Sequence, residues 1–180
     1  MLATSIVALA LAATGFAQAV PPEGYRKVYI SSMVDTKYVV VPKGAPAANG
    51  QTTVVQTLTS KPEQQWYITA NATKIYLASN TALCMDAGAK TAWKDMANVY
   101  VNTCSDTAPG QQWTAMADGR IAVTASSPQQ CLDLQYLRAT QNNPVGLYAC
   151  AGLGNTGAKD KGINWPLVNV TGFQVRGVTY

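Results

Sequence analysis

Gln64-Gln65-Trp66 returns as Gln111-Gln112-Trp113, and Cys84-Met85-Asp86 returns as Cys131-Leu132-Asp133, each 47 residues further on. Pro62/Pro109, Ala70/Ala117, Ala78/Ala125 and Ser79/Ser126 keep the same register. A fixed offset shared by a tryptophan motif, a cysteine and an acid marks duplicated structural units, which bury their apolar faces only by packing on one another. A third tryptophan position follows. Trp165 lies 52 residues after Trp113, the extra length falls in an enlarged loop from Gly152 to Gly162, and Ile163 stands where the other copies have Gln. An amino-terminal unit is signalled by Lys27-Val28-Tyr29-Ile30-Ser31-Ser32, which resembles Lys74-Ile75-Tyr76-Leu77-Ala78-Ser79. The offset applied backwards from Cys84 and Asp86 falls on Lys37 and Val39, so this unit carries neither cysteine nor acid.

Between these motifs the chain reads as short strands. Val28-Tyr29-Ile30, Tyr38 to Val41, Thr53-Val54-Val55, Trp66-Tyr67-Ile68 and Ile75-Tyr76-Leu77 are β-branched or aromatic runs separated by Asn, Gly, Pro and Ser clusters. Val99-Tyr100-Val101, Ile121-Ala122-Val123 and Gly146-Leu147-Tyr148 continue the pattern. Asp118-Gly119 is a two-residue hairpin signal, and Asn71-Ala72 occupies the matching place one repeat earlier. No segment sustains a helical period, so the class is all-β. Three such units predict a closed threefold barrel, which leaves no open sheet edge.

Ile6 to Ala13 is a short apolar run and Ala17-Gln18-Ala19 is a small-x-small cleavage site. Residues 1–19 are therefore expected to be a secretory signal peptide and residues 20–180 the folded domain, in an extracellular protein. The apolar run is shorter than the roughly 20 residues a bilayer span needs, and nothing later suffices either, so no membrane insertion is expected. Four cysteines in an exported chain favour two disulfides. Of the three pairings they allow, the repeat favours Cys84–Cys104 and Cys131–Cys150, one within each unit. No pair has zinc-ligand spacing. The chain has no histidine and only 12 % charged residues. Without histidine, Ser-His-Asp and Cys-His catalysis and histidine metal sites are excluded, and neither metal nor cofactor is expected. The net charge of +4 is scattered along the chain, whereas a nucleic-acid footprint needs clustering.

A Q-x-W tryptophan in the units, a Cys-x-Asp upstream of it and a second cysteine between them resemble the ricin B-type lectin domain. That family is a β-trefoil and is also classed among carbohydrate-binding modules of family 13. The likeness runs from about Tyr25 to Val175. It implies a glycan-binding protein, with galactose-type sugars as the family's commonest ligands. It also implies that Trp66, Trp113 and Trp165 pack at the pseudo-threefold axis as structural core, with Gln64 and Gln111 bonding backbone nearby.

The resemblance assigns the acid of each Cys-x-Asp to the sugar hydroxyls, through charge-assisted hydrogen bonds. The stacking ring sits two residues before the second cysteine, where an aromatic face meets the sugar's C–H face. In the third unit these are Asp133 and Tyr148. In the second unit they are Asp86 and Asn102, so the ring is missing. Tyr100, on the same strand face, and Trp93, in a nearby loop, are the candidates to replace it. The family also uses an Asn near the tryptophan, and Asn164 and Asn155 are the nearest equivalents in the third unit. The first unit, with Val39 and Val55 at these places, is expected to complete the barrel and bind nothing. Without histidine, binding is expected to stay flat through neutral pH and to fade only as an ordinary carboxylate protonates, near pH ~4.

Two other classes are open. A glycosidase needs two facing carboxyls, and the candidate acids belong to separate lobes of a trefoil, so no enzyme is expected. The alternative is a secreted trefoil that binds protein, such as a protease inhibitor, with Gly152 to Lys161 (including Lys159 and Lys161) as its reactive loop. Asn71-Ala72-Thr73 and Asn169-Val170-Thr171 are N-glycosylation sequons.

Overall fold

The computed structural model describes residues 23–171. The expected signal peptide lies outside the described residues. Thirteen strands form one antiparallel system: β1 (Arg26–Ile30), β2 (Tyr38–Pro42), β3 (Gln51–Thr57), β4 (Trp66–Ile68), β5 (Asn71–Thr73), β6 (Tyr76–Leu77), β7 (Leu83–Asp86), β8 (Tyr100–Thr103), β9 (Trp113–Ala115), β10 (Ile121–Val123), β11 (Gln130–Leu134), β12 (Asn143–Ala149) and β13 (Leu167–Asn169). Among the described residues no helix is long and apolar enough to cross a membrane. The chain is an all-β trefoil of three pseudo-repeats.

Each unit contributes a hairpin, β2–β3, β7–β8 and β11–β12. The outer strands pair in turn, β13–β1–β4–β6 on one side and β5–β9–β10 on the other. Just before β13 the backbone N–H of Trp165 donates to the O of Gly119, between β9 and β10, at 2.9 Å. The three hairpins meet where β3 pairs with both β8 and β12. Asp118-Gly119 makes the β9–β10 turn, with Gly119 at φ +94°. Asn71 departs from a simple hairpin tip. It lies between β4 and β6 at φ 59° and opens β5, which leaves that pair and joins β9.

The core is built on Trp66, Trp113 and Trp165, exposed by 1 % or less. Burying an indole requires a partner for its N–H. The three donate to equivalent carbonyls, Val40 O at 2.8 Å, Met85 O at 3.1 Å and Leu132 O at 2.8 Å. These bonds correct the register of the first unit. Val40, not Tyr38, matches Met85, so Val41 rather than Val39 occupies the place of the acid. Gln64 and Gln111 lie just before their tryptophans, each donating to a strand-end carbonyl, Thr57 O at 2.8 Å and Thr103 O at 3.0 Å. The disulfides are Cys84–Cys104 and Cys131–Cys150, with Cα–Cα of 5.0 Å in both. Each ties the two strands of its hairpin together.

Candidate functional site

In the third unit β11 and β12 run antiparallel with Cys131 opposite Tyr148 and Asp133 opposite Gly146. Residues directly opposite share a sheet face, as do alternate residues along one strand. Asp133, Cys131, Tyr148 and Cys150 thus project to one side, and the cystine holds the two strands in this register. Asp133 and the half-buried Tyr148 line one cleft of about 270 Å³, with Met96, Leu134, Tyr136, Leu137, Leu153 and Asp160.

Asp133 is 7 % exposed. Burial, then the neighbouring Asp160 and Asp95 carboxylates, push its pKa up to about 7. No donor among the described residues is bonded to its carboxylate. Its oxygens reach the cleft without a protein donor, so a molecule entering the cleft can donate to them. The raised pKa corrects the expectation of pH-independent behaviour near neutrality.

The second unit shows why Asp133 is free. Asp86 occupies the same position on β7 and is also 7 % exposed, yet it is fully engaged. Its Oδ1 accepts the Gly88 N–H at 2.7 Å, and its Oδ2 accepts Asn102 Nδ2 at 3.1 Å and Gln111 Nε2 at 3.0 Å. The third-unit residues at those two side-chain positions are Tyr148 and Ile163. Ile163 has no donor and packs in an apolar cluster with Ala122, Cys131 and Cys150. Replacing the amides by a ring and an alkyl chain removes two donors from the acid.

Each acid also requires a glycine opposite it. A Cβ on Gly110 would lie 2.4 Å from Asp86 Oδ1, and one on Gly162 would lie 2.9 Å from Asp133 Oδ1. The first unit reverses both choices, with Val41 in place of the acid and Glu63 in place of the glycine.

The other sequence candidates fall elsewhere. Asn102 joins Asp86 internally and accepts the Gly50 N–H at 3.1 Å. Tyr100 is half-buried opposite Asp86, at the position Gly146 holds in the third unit. Trp93 donates its indole N–H to Gly88 O at 3.1 Å, which bonds it to the loop that holds Asp86. Asn164 is 7 % exposed and lines a different cleft, its amide donating to Asp118 O and Ala158 O. Asn155 is exposed in the enlarged loop at φ 59° and does not line the Asp133 cleft. The Asn71 side chain is exposed, whereas Asn169 Oδ1 accepts a bond from Arg26 at 2.8 Å. No cluster able to hold a metal ion occurs among the described residues.

Sequence reasoning missed Asp160, Met96, Tyr136, Leu137 and Leu153. Asp160 organises the enlarged loop, accepting the Leu153 N–H at 2.6 Å and the Gly162 N–H at 2.8 Å. Its signal was available, as the lone acid in that loop. Met96 arrives from the second unit, so only the tertiary structure brings it to this cleft.

Residues 73–161 match the family model of the ricin-type β-trefoil lectin domain. No curated protein matches the chain. Among solved structures it is similar to the designed threefold-symmetric protein ThreeFoil, with 18 % identity, a TM-score of 0.64, and 82 % of this chain and 100 % of that one covered. It is similar to the C-half of an earthworm R-type lectin in complex with GalNAc, with 15 % identity, a TM-score of 0.62, and coverage of 81 % and 99 %. A third is a non-toxic homologue of type II RIPs from bitter gourd (Momordica charantia) in complex with α-methyl-D-galactoside. There the identity is 17 %, the TM-score 0.59 and the coverage 81 % of this chain and 48 % of that one, so this chain spans about half of it. Residues 73–161 thus match the ricin-type β-trefoil lectin domain, and the trefoil extends to both sides of the matched segment.

Proposed function

We propose that the protein is a secreted lectin that binds glycan in the third-unit cleft, with Asp133 accepting from sugar hydroxyls and the Tyr148 ring facing the sugar. The observation that carries this reading is the buried Asp133 carboxylate, which lacks a protein donor and shares its cleft with a ring. Asp86, by contrast, has its bonds satisfied internally, so the second unit is read as structural. The complexes of the earthworm lectin with GalNAc and of the bitter-gourd protein with a methyl galactoside make galactose-type sugars the first ligands to try. Two disulfides support an oxidising, extracellular destination.

One observation favours a second reading, hydrolysis. Asp160 lies beside Asp133, so a pair of carboxyls exists where the sequence suggested only acids in separate lobes. Both Asp160 oxygens, however, accept backbone N–H groups that hold the loop, which leaves Asp160 poorly placed to attack or to activate water. Binding is the better reading.

The test is a glycan array with the full chain, repeated with Asp133→Asn and Tyr148→Ala. A single shallow site is expected to bind with a dissociation constant on the order of millimolar to micromolar, and either substitution should abolish the signal with the fold intact. An array signal that survives Asp133→Asn overturns the site. Mass analysis of the incubated glycans covers the second reading, since cleavage lost in Asp133→Asn would replace binding by turnover.

A further inference from the structure

We infer that the cleft carries an apolar shelf beside the sugar position, and that the protein selects glycosides bearing an apolar aglycone that lies across Met96, Tyr136, Leu137 and Leu153. The inference rests on the reading of Asp133 and Tyr148 as the sugar contacts. Six large hydrophobic side chains are exposed among the described residues. Four of them are Met96 at 39 %, Tyr136 at 66 %, Leu137 at 44 % and Leu153 at 57 %, and all four line this one cleft. Scattered exposed apolar residues need no explanation, but convergence on a cleft does.

Three of the four are held in a backbone conformation that side-chained residues avoid. Met96 has φ 67°, Tyr136 φ 62° and Leu137 φ 53°, in the left-handed region where Gly and Asn are at home. Such strain persists only where the surroundings impose it, and it gathers at ligand sites. Here the surroundings are visible. The Met96 N–H donates to Leu147 O at 2.8 Å, and its own carbonyl accepts Gln135 Nε2 at 3.1 Å. The Gln135 carbonyl in turn accepts Asn143 Nδ2 at 2.8 Å, fixing the turn that presents Tyr136 and Leu137. Leu153 is positioned by its N–H bond to Asp160. The shelf is thus built before any ligand arrives, which reduces the cost of binding.

The occupant must satisfy two demands together. It has to cover apolar side chains, and it has to bring donors to Asp133. An apolar protein surface laid over the leucines would seal an unpaired carboxyl beneath it, at a desolvation cost. A sugar with an aryl or alkyl aglycone meets both demands. The cleft volume of about 270 Å³ lies just under the ~300–1,000 Å³ of ordinary small-molecule sites, which suits one sugar ring and a small substituent.

The test is calorimetric titration of the full chain with the methyl and phenyl β-glycosides of galactose, N-acetylgalactosamine and glucose. For a sugar whose methyl glycoside binds, the phenyl glycoside is expected to bind about tenfold more tightly, as the apolar area covered by one ring implies. The ratio should collapse to about one in the double variant Leu137→Asn/Leu153→Ser, whose folding is checked by thermal unfolding. Asp133→Asn should remove binding of both glycosides. Equal affinities in the wild type, or a ratio unchanged in the double variant, overturn the shelf and leave the sugar site standing. Absence of binding by every glycoside overturns the sugar site and the shelf with it.

Discussion

Asp133 is the carboxyl on which the proposed sugar site turns. Its pKa is raised to about 7 by burial and by Asp160 and Asp95, above the ~3.9 of an unfolded Asp. Between these values the folded chain binds more protons than the unfolded one, so stability falls as pH rises from ~4 to ~7 and is level beyond. Asp133→Asn keeps the shape and removes the charge. It is expected to stabilise the protein by a few kcal/mol at pH 8 and by nearly nothing at pH 4, measured by denaturant unfolding at the two values. Ligand donors favour the ionised form, so sugar affinity should drop by roughly an order of magnitude between pH 8 and pH 5.5, measured by calorimetry. Leu137→Asn should raise stability by about 1 kcal/mol, because Asn tolerates the left-handed backbone that Leu137 is forced to adopt.

At the scale of elements, the hairpins β7–β8 and β11–β12 are the same device with different occupants. In β7–β8 the amides of Asn102 and Gln111 close on Asp86. In β11–β12 a ring and Ile163 leave Asp133 open. The loss of the third Q-x-W glutamine, which looks like decay of a repeat, therefore leaves the acid without that donor. Ile163→Gln should return a donor to Asp133, lower its pKa and weaken sugar binding, and NMR titration of the Asp133 carboxyl would check the first effect. The cystine between Cys131 and Cys150 closes a loop with a sequence separation of 19. Replacing both cysteines by Ala is expected to cost about 3 kcal/mol and to loosen the register that sets Tyr148 beside Asp133, so stability and affinity should fall together.

The whole molecule is held where the three hairpins converge. Thr53, fully buried on β3, donates its hydroxyl toward Val99 O at 3.0 Å and Val145 O at 3.4 Å, carbonyls of the second and third units. Thr53→Val keeps the volume and leaves those carbonyls without the hydroxyl, so it should cost about 1–2 kcal/mol in denaturant unfolding. With Asp86 engaged and Val41 in place of the first acid, one sugar per chain is the expected calorimetric stoichiometry. Stronger attachment to a surface would then require several chains presented together.

How much of this was legible beforehand follows from how each feature is encoded. The repeat offset, the cystine pairing and the placing of Asp133 two residues after Cys131 are local in the chain, so periodicity and motif spacing carried them, and the tryptophan core followed from the family resemblance. The register of the first unit was not, because it lies two residues off the common offset and only the Trp66 bond to Val40 reveals it. Asn164 and Asn155 stood near the motif in sequence but turn to other surroundings, since distance along the chain says little about direction across a barrel. The state of Asp133 is a tertiary fact. Its burial, its lack of a donor, the carboxylates beside it and the arrival of Met96 from another unit all depend on long-range packing. A chain written as three copies declares its architecture through repetition, whereas the proposed site lies where the copies differ and where neighbouring copies touch.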